Sequence, residues 1–316
     1  MNGTIDLGQL NDAAHRLSPY LRRTPTIRLP QGSLGCDFHI DLKLEHMQVS
    51  GSFKARGAFN AALSNDIPST GLIAASGGNH GAAVAAAARA LGHKAEIFVP
   101  TISNPAKIAV LRDLGAILNV GGDNYAEALI ACNERQAQTG AMSIHAFNQH
   151  EVLAGQGTLG LEWMDQSPDL TRMLIAVGGG GLIAGVAAAV HANARDIKID
   201  AVEPETSCCY KKAIEFGAPT TTQVSGIAAD ALGASQIGDM AFEILRRQTV
   251  DPSLVSDKSI KNAQESLWKE LRLAVEPAAA TSLAALQSGV IKPKTHEVVG
   301  ILICGANVDL ATTKFT

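Results

Sequence analysis

The sequence predicts an α/β protein of two lobes, each an open, mostly parallel sheet with helices on both faces. Three observations predict it. Short apolar runs alternate with helical stretches along most of the chain, and such alternation builds parallel sheets with helices packed on them. Glycine or Asn-Pro punctuates the junctions, as helix ends require. Aromatic residues make up only 4% of the chain, while alanine and glycine are abundant, which suits helices lying close on sheets.

The elements follow in order. K-L-E-H-M-Q at 43–48 closes a short strand-like run, and A-F-N-A-A-L at 58–63 continues as an apolar helix. Gly71–Ala75 reads as a strand, and residues 82–92 as a helix stopped by Gly92. Residues 94–100 (K-A-E-I-F-V-P) form the next strand. Residues 104–115 then form a helix with an Asn-Pro start and a glycine stop. Residues 116–120 are a strand and Asn124–Gln138 a helix. Met173–Val177 is a strand feeding four glycines and a helix over 182–191. Lys198–Val202 and Glu297–Cys304 complete the strands.

The 316 residues suffice for a large core. Residues 70–145 are expected to form a small, mobile lobe, and residues 1–69 with 146–316 a large one. A hydrophobic fraction of 46% and a charged fraction of 18% mark a soluble globular chain. The net charge of −4 gives no basic footprint for nucleic acid. Five cysteines without C-x-x-C spacing fit a reducing compartment. No leader is read in the first ten residues and no apolar run reaches about 18 residues, so a cytoplasmic location without membrane contact is expected.

Four segments can carry chemistry. Gly178-Gly179-Gly180-Gly181 joins a strand to a helix, where free N–H groups and the helix dipole favour a phosphate. The same run fits a dinucleotide fingerprint, Gly179-x-Gly181-x-x-Ala184, with Glu203 about 20 residues on. That alternative implies a nicotinamide dehydrogenase. Ser76-Gly77-Gly78-Asn79-His80 lies at another strand–helix junction and suits a carboxylate; the competing reading is an ordinary cap and turn, with His80 structural. Lys54 lies within S-G-S-F-K-A-R-G. It is either a surface charge or, if desolvated, a nucleophilic amine. Cys304 ends the last strand, either as a buried hydrophobe or as a thiol delivered to the sheet's carboxyl edge, where ligands bind.

Together, K-L-E-H-M-Q-V-S-G-S-F-K-A-R-G-A, S-G-G-N-H-G, G-G-G-G-L-I-A-G and C-G-A-N-V-D, in this order, resemble the fold-type II pyridoxal-phosphate enzymes, and among them the threonine/serine dehydratases and serine racemases. Residues 151–158, 202–204 and 275–280 look like segments of the same family. The resemblance runs over nearly the whole chain and implies a fold like the tryptophan synthase β-subunit. It implies pyridoxal 5'-phosphate attached to Lys54, with Phe53 beside the ring, Asn79 on the ring hydroxyl, Gly178, Gly179, Gly180 and Gly181 on the phosphate and Cys304 facing the ring nitrogen. It places the substrate carboxylate on Ser76, Gly77, Gly78, Asn79 and His80. Loss of the β-hydroxyl of L-threonine or L-serine, giving a 2-oxo acid and ammonia, is the implied reaction.

Departures refine this expectation. Racemases in the family carry a serine acid where this chain has Gly77, so a lyase is expected over a racemase. The family's divalent-metal site pairs a Glu with an Asp; Glu203 matches, but Cys209 replaces the acid, so no metal is expected. Gln149 and Ser225 look like replacements of acids near the substrate, which raises 3-hydroxyaspartate as an alternative substrate. The chain ends soon after Asp309, leaving no room for the regulatory domain of the biosynthetic dehydratases. A homodimer is implied by resemblance. A β-replacement synthase and a non-catalytic amino-acid sensor remain as rival readings.

Overall fold

The computed structural model describes residues 4–309. The outer ends of the segments expected in the large lobe, 1–3 and 310–316, lie outside the described residues, as do the first three residues read for a leader.

The chain opens with α1 (Leu7–Leu17), β1 (Thr26–Leu29), β2 (His39–Lys43) and α2 (Lys54–Leu63). It continues through β3 (Leu72–Ala75), α3 (Asn79–Ala90), β4 (Ala95–Val99), α4 (Pro105–Asp113), β5 (Ile117–Val120), α5 (Tyr125–Thr139) and β6 (Met142–Ser143). Then come α6 (His150–Gln166), β7 (Arg172–Ala176), α7 (Gly181–Ala192), β8 (Lys198–Pro204), α8 (Cys209–Phe216), α9 (Ala229–Leu232) and α10 (Asp239–Arg247). The last elements are β9 (Pro252–Val255), α11 (Asp257–Leu271), α12 (Pro277–Gln287) and β10 (Val298–Leu302).

The strands form two sheets, as the alternation requires. The larger has the order β1-β2-β10-β7-β8-β9 and the smaller β5-β4-β3-β6. Every neighbouring pair is parallel except the antiparallel edge pair β1/β2. The strands of the small sheet come from residues 72–143 and those of the large one from both flanking segments. One apolar core surrounds the large sheet, and a second, rich in alanine, lies between α2, α3 and the small sheet.

Local chemistry sets the helix ends. Asp6 caps α1 and Gln9 returns the bond to the Asp6 N–H, a capping box. Asn104 accepts from the Ala106 N–H ahead of Pro105, and Asn124 accepts from the Glu127 N–H. These are the starts read from the sequence for α4 and α5.

Parallel order places the carboxyl ends of β10 and β7 side by side. Ligands of open α/β sheets bind at such ends. One end leads to Cys304 and the other to the four glycines. The helix α2, which begins at Lys54, is anchored from below. The Arg56 guanidinium donates to both oxygens of Glu45, at 2.9 and 2.7 Å, and to Glu162 at 3.0 Å. The Lys43 amine donates to Glu162 at 2.5 Å. All four groups are buried or nearly so. A buried charge that lost its partner would destabilise the fold by about 3–5 kcal/mol, so this cluster ties α2 to β2 and α6.

Candidate active site

A narrow cavity opens where these ends meet. Its walls include Phe53, Lys54, Asn79, Phe147, Gly178–Gly181, Leu232, Glu276 and Cys304. Eight of the residues singled out from sequence therefore lie on one cavity, although they come from four separate segments.

The lysine loop is held by backbone pairing to the cysteine segment. Ser52 and Gly305 form an antiparallel bridge, and the Phe53 N–H donates to the Cys304 carbonyl at 3.1 Å. Lys54 starts α2 with its amine donating to the Ala146 carbonyl at 2.8 Å and lying 5.2 Å from the centre of the Phe53 ring. Burial pushes the amine down to about 8, while the nearby Cys304 and Glu276 pull the other way. Such an amine is partly unprotonated near neutral pH and can attack a carbonyl.

Opposite stands the glycine loop. Gly180 caps α7 with a φ of 83°, a left-handed conformation open to glycine. The first N–H groups of α7 have no intrahelical acceptor and carry the positive end of the helix dipole. Side chains are excluded by contact. A Cβ at Gly179 would fall 2.2–2.4 Å from atoms of the Phe147 ring, and one at Gly181 would fall 2.8 Å from the Phe147 carbonyl oxygen. This cradle fits a phosphate, whose oxygens accept from backbone donors at a helix N-terminus.

Cys304 is buried, and burial raises its thiol well above the ordinary value, with Glu276 adding to the effect. It is a neutral thiol. Asn79 opens α3 and turns its amide to Glu276, donating at 2.7 Å. Burial raises the Glu276 carboxyl, opposed by the Asn79 bond.

The remaining loop residues stand apart from this lining. Ser76, Gly77 and Gly78 lie half-buried just before α3, and the Ser76 hydroxyl accepts from the Gly78 N–H at 3.3 Å. The His80 ring is buried and donates from Nε2 to the Ile144 carbonyl at 2.8 Å. Burial holds it down to about 3, so it is neutral. Its side chain is therefore structural, and only its backbone N–H joins the α3 N-terminus. Gln149 and Ser225 also lie outside the lining. The Gln149 side-chain oxygen accepts from the His145 N–H, and the Ser225 N–H donates to the Thr206 carbonyl.

Glu203 is fully buried and accepts from the N–H groups of Tyr210 and Lys211, both at 2.8 Å. Its carboxylate caps α8 and is not directed at a ribose, against the dinucleotide reading. Cys209 donates its thiol to the Gly178 carbonyl at 3.2 Å. Among the described residues no group of three or more His, Cys, Asp or Glu side chains could hold a metal ion.

Phe147 and Glu276 are among the lining residues that sequence reasoning missed. Phe147 has no local signal, because it meets the glycine loop only through packing. Glu276 had one: an acid before Pro277 at a helix start, within a segment already noted for its family likeness.

A half-buried amine that shares a cavity with an anion cradle at the carboxyl edge of a parallel sheet fits the binding of a phosphorylated carbonyl compound. Residues 17–305 match the family described as "Pyridoxal-phosphate dependent enzyme". The chain belongs to that family, and pyridoxal phosphate is its cofactor. It is 35% identical over 309 residues to the phenylserine dehydratase of Ralstonia pickettii, covering 97% of this chain and 94% of that one. It is 34% identical to the L-threonine ammonia-lyase of Thermotoga maritima, covering 97% of this chain and 76% of that one. Among solved structures, maize serine racemase superposes with a TM-score of 0.92 at 32% identity, covering 98% of this chain and 95% of that one. A threonine deaminase from T.th. superposes with a TM-score of 0.88 at 35% identity, covering 97% of this chain and 99% of that one.

Proposed function

We propose that the chain is an ammonia-lyase that removes the β-hydroxyl of L-threonine, L-serine or a close β-hydroxy amino acid, yielding a 2-oxo acid and ammonia. The observation that carries this reading is the half-buried Lys54, whose amine is lowered to about 8 and lines one cavity with the glycine cradle.

In this reading Lys54 would hold the cofactor through its carbonyl carbon, and Gly178–Gly181 with the α7 N-terminus would hold its phosphate. Phe53 would pack beside the ring, Asn79 would donate to the ring hydroxyl, and Cys304 would face the ring nitrogen. Bound there, the cofactor supplies an electron sink for the bond broken at the substrate's α-carbon. A neutral Cys304 thiol would be a weak partner for the ring nitrogen and leave it largely unprotonated, which would favour rapid loss of a β-substituent.

The backbone N–H groups around Ser76–His80 take the substrate carboxylate at the α3 N-terminus. Freed when the substrate's amino group takes its place, the Lys54 amine would take the α-proton as general base. On the opposite face, Gly77 has no side chain to return a proton, so elimination is favoured over racemisation. The β-hydroxyl leaves with a proton as water, and the released product hydrolyses to the 2-oxo acid and ammonia.

The small lobe, residues 70–145, moves against the large one and closes over the substrate to exclude water. Lys107 of α4 pairs with Asp230 of α9 across this cleft. A homodimer in the cytoplasm is the expected working form. Among the described residues no helix is long and apolar enough to cross a membrane.

A second reading concerns the substrate. A larger apolar β-substituent, the kind named by the Ralstonia relative, is the alternative that its 35% identity over 97% of this chain supports. The test is release of 2-oxo acid and ammonia from L-threonine, L-serine, D-serine, 3-phenylserine and the 3-hydroxyaspartates. Equal yields of both products from one of them support the lyase and select its substrate. No oxo acid from any, with cofactor bound, would leave a sensor, a racemase or a β-replacement enzyme.

A further inference from the structure

The Asn79 amide is gripped from two sides by groups with no role in the reaction outlined above. Its Nδ2 donates to Glu276 Oε1 at 2.7 Å. Its Oδ1 accepts from the Nδ2 of Asn307. The Asn307 amide is itself fixed, because its Nδ2 also donates to the Ser50 carbonyl at 3.1 Å. A backbone carbonyl only accepts, so the Asn307 NH2 must face that side. The Asn79 oxygen must then face Asn307, and its NH2 must face the Glu276 carboxylate. Reversing the Asn79 amide would set oxygen against carboxylate and NH2 against NH2.

Crowding confirms that this chain of bonds is built in. A Cβ at Gly305 would fall 2.3 Å from Glu276 Oε1 and 3.2 Å from Asn79 Nδ2, and a Cβ at Gly51 would fall 2.6 Å from Asn307 Oδ1. Glu276 is only 5% exposed. The relay therefore joins the segments that carry Ser50, Asn79, Glu276 and Asn307. One Nδ2 hydrogen of Asn79 remains unused, on a residue that lines the cavity with Lys54 and Cys304.

We propose that Glu276 and Asn307 are positioning residues for the cofactor. They lock the Asn79 amide so that its remaining N–H points at an oxygen acceptor of the bound ring and stabilises that oxygen in its deprotonated form. This rests on the reading that places the cofactor against Asn79.

The test uses full-length apoenzyme titrated with pyridoxal phosphate, with Asn307→Asp, Asn307→Ser, Glu276→Ala and Glu276→Gln. Two quantities are read: the cofactor dissociation constant, and the ratio of the yellow, ring-oxygen-deprotonated band to the near-ultraviolet band. Thermal melts of each apoprotein establish that it folds, and Asn307→Ser serves if Asn307→Asp does not. Loss of one oriented hydrogen bond to a charged oxygen is expected to weaken binding about tenfold or more. The Asn307 variants should also shift the bound cofactor toward the near-ultraviolet band. Glu276→Ala should lose more than Glu276→Gln, which keeps an oxygen acceptor. Folded Asn307 and Glu276→Ala variants with wild-type affinity and wild-type band ratio would overturn the proposal. Failure of wild-type apoenzyme to take up cofactor would overturn the underlying reading and the proposal with it.

Discussion

The amine of Lys54 donates to the carbonyl oxygen of Ala146 at 2.8 Å. This partner is neutral, so burial dominates and the amine drops to about 8. The contact also fixes the amine to the loop that carries Phe147, the wall of the glycine cradle. Nucleophile and anion site thus share one support.

The protonation of that amine sets a pH dependence. Only the unprotonated amine attacks a carbonyl, and the protonated form dominates below the lowered value. The rate of cofactor uptake by apoenzyme should rise about tenfold per pH unit below 8 and level off above it. His80, held near 3, is neutral through this range and adds no inflection. Stopped-flow absorbance of cofactor binding checks this. A profile still rising above pH 9 at the slope of an ordinary lysine would contradict the buried amine.

Gly179→Ala tests the cradle. The new Cβ would overlap the Phe147 ring, and overpacking of this kind costs about 1–3 kcal/mol. Lower thermal stability and weaker cofactor binding are both expected. Gly121 has open space around it and a φ that other residues tolerate, so Gly121→Ala serves as the control and should change neither. Melting curves and cofactor titrations of the two variants decide the matter.

The two loops were legible in the sequence because their chemistry is local. A run of four glycines between a strand and a helix, or a lysine flanked by serine and glycine, announces a backbone that must come close to something. The two parallel sheets were legible from alternation and caps. What escaped detection depends on distance. Glu276 meets Asn79 across 197 positions of sequence, and Phe147 reaches Gly179 from an irregular loop. His80 follows Asn79 in sequence, which groups its side chain with the anion loop. The turn of α3 instead carries it inward, to the Ile144 carbonyl. The antiparallel edge strand β1 and the short β6 and β9 carry no periodic signal long enough to read.

Cys304 tests the electronic part of the mechanism. Cys304→Ser keeps a neutral partner and should keep elimination dominant. Cys304→Asp places a carboxyl beside the buried Glu276 and would protonate the ring nitrogen. A mismatch of about 1.4 kcal/mol in the transition state is tenfold in rate, and at least that loss of elimination is expected, with more side reaction at the α-carbon. Product analysis of both variants on L-serine separates these outcomes. Equal elimination by the two would rule out a role for the thiol's neutrality.

Gly77→Ser tests the choice of reaction. A Cβ there would lie 3.0 Å from the Ser103 hydroxyl oxygen, a contact that a rotation of Ser103 relieves. In the proposed reading, in which this loop takes the substrate, the added hydroxyl would face it opposite Lys54. A positioned proton donor contributes about 10²-fold or more, so D-serine formation from L-serine should rise by that order. Chiral chromatography measures it. No gain in a folded, cofactor-bound variant would mean that this loop lies on another face of the substrate.

The central claim is that Lys54 carries the cofactor. The most direct measurement is borohydride reduction of the cofactor-loaded protein, which makes attachment of the cofactor to a lysine permanent, followed by mass spectrometry of its peptides. The expected result is a single modified residue, Lys54, with no modification in Lys54→Ala. Cofactor found on another lysine, or on none while the protein is yellow and active, would contradict the assignment of this cavity as the active site.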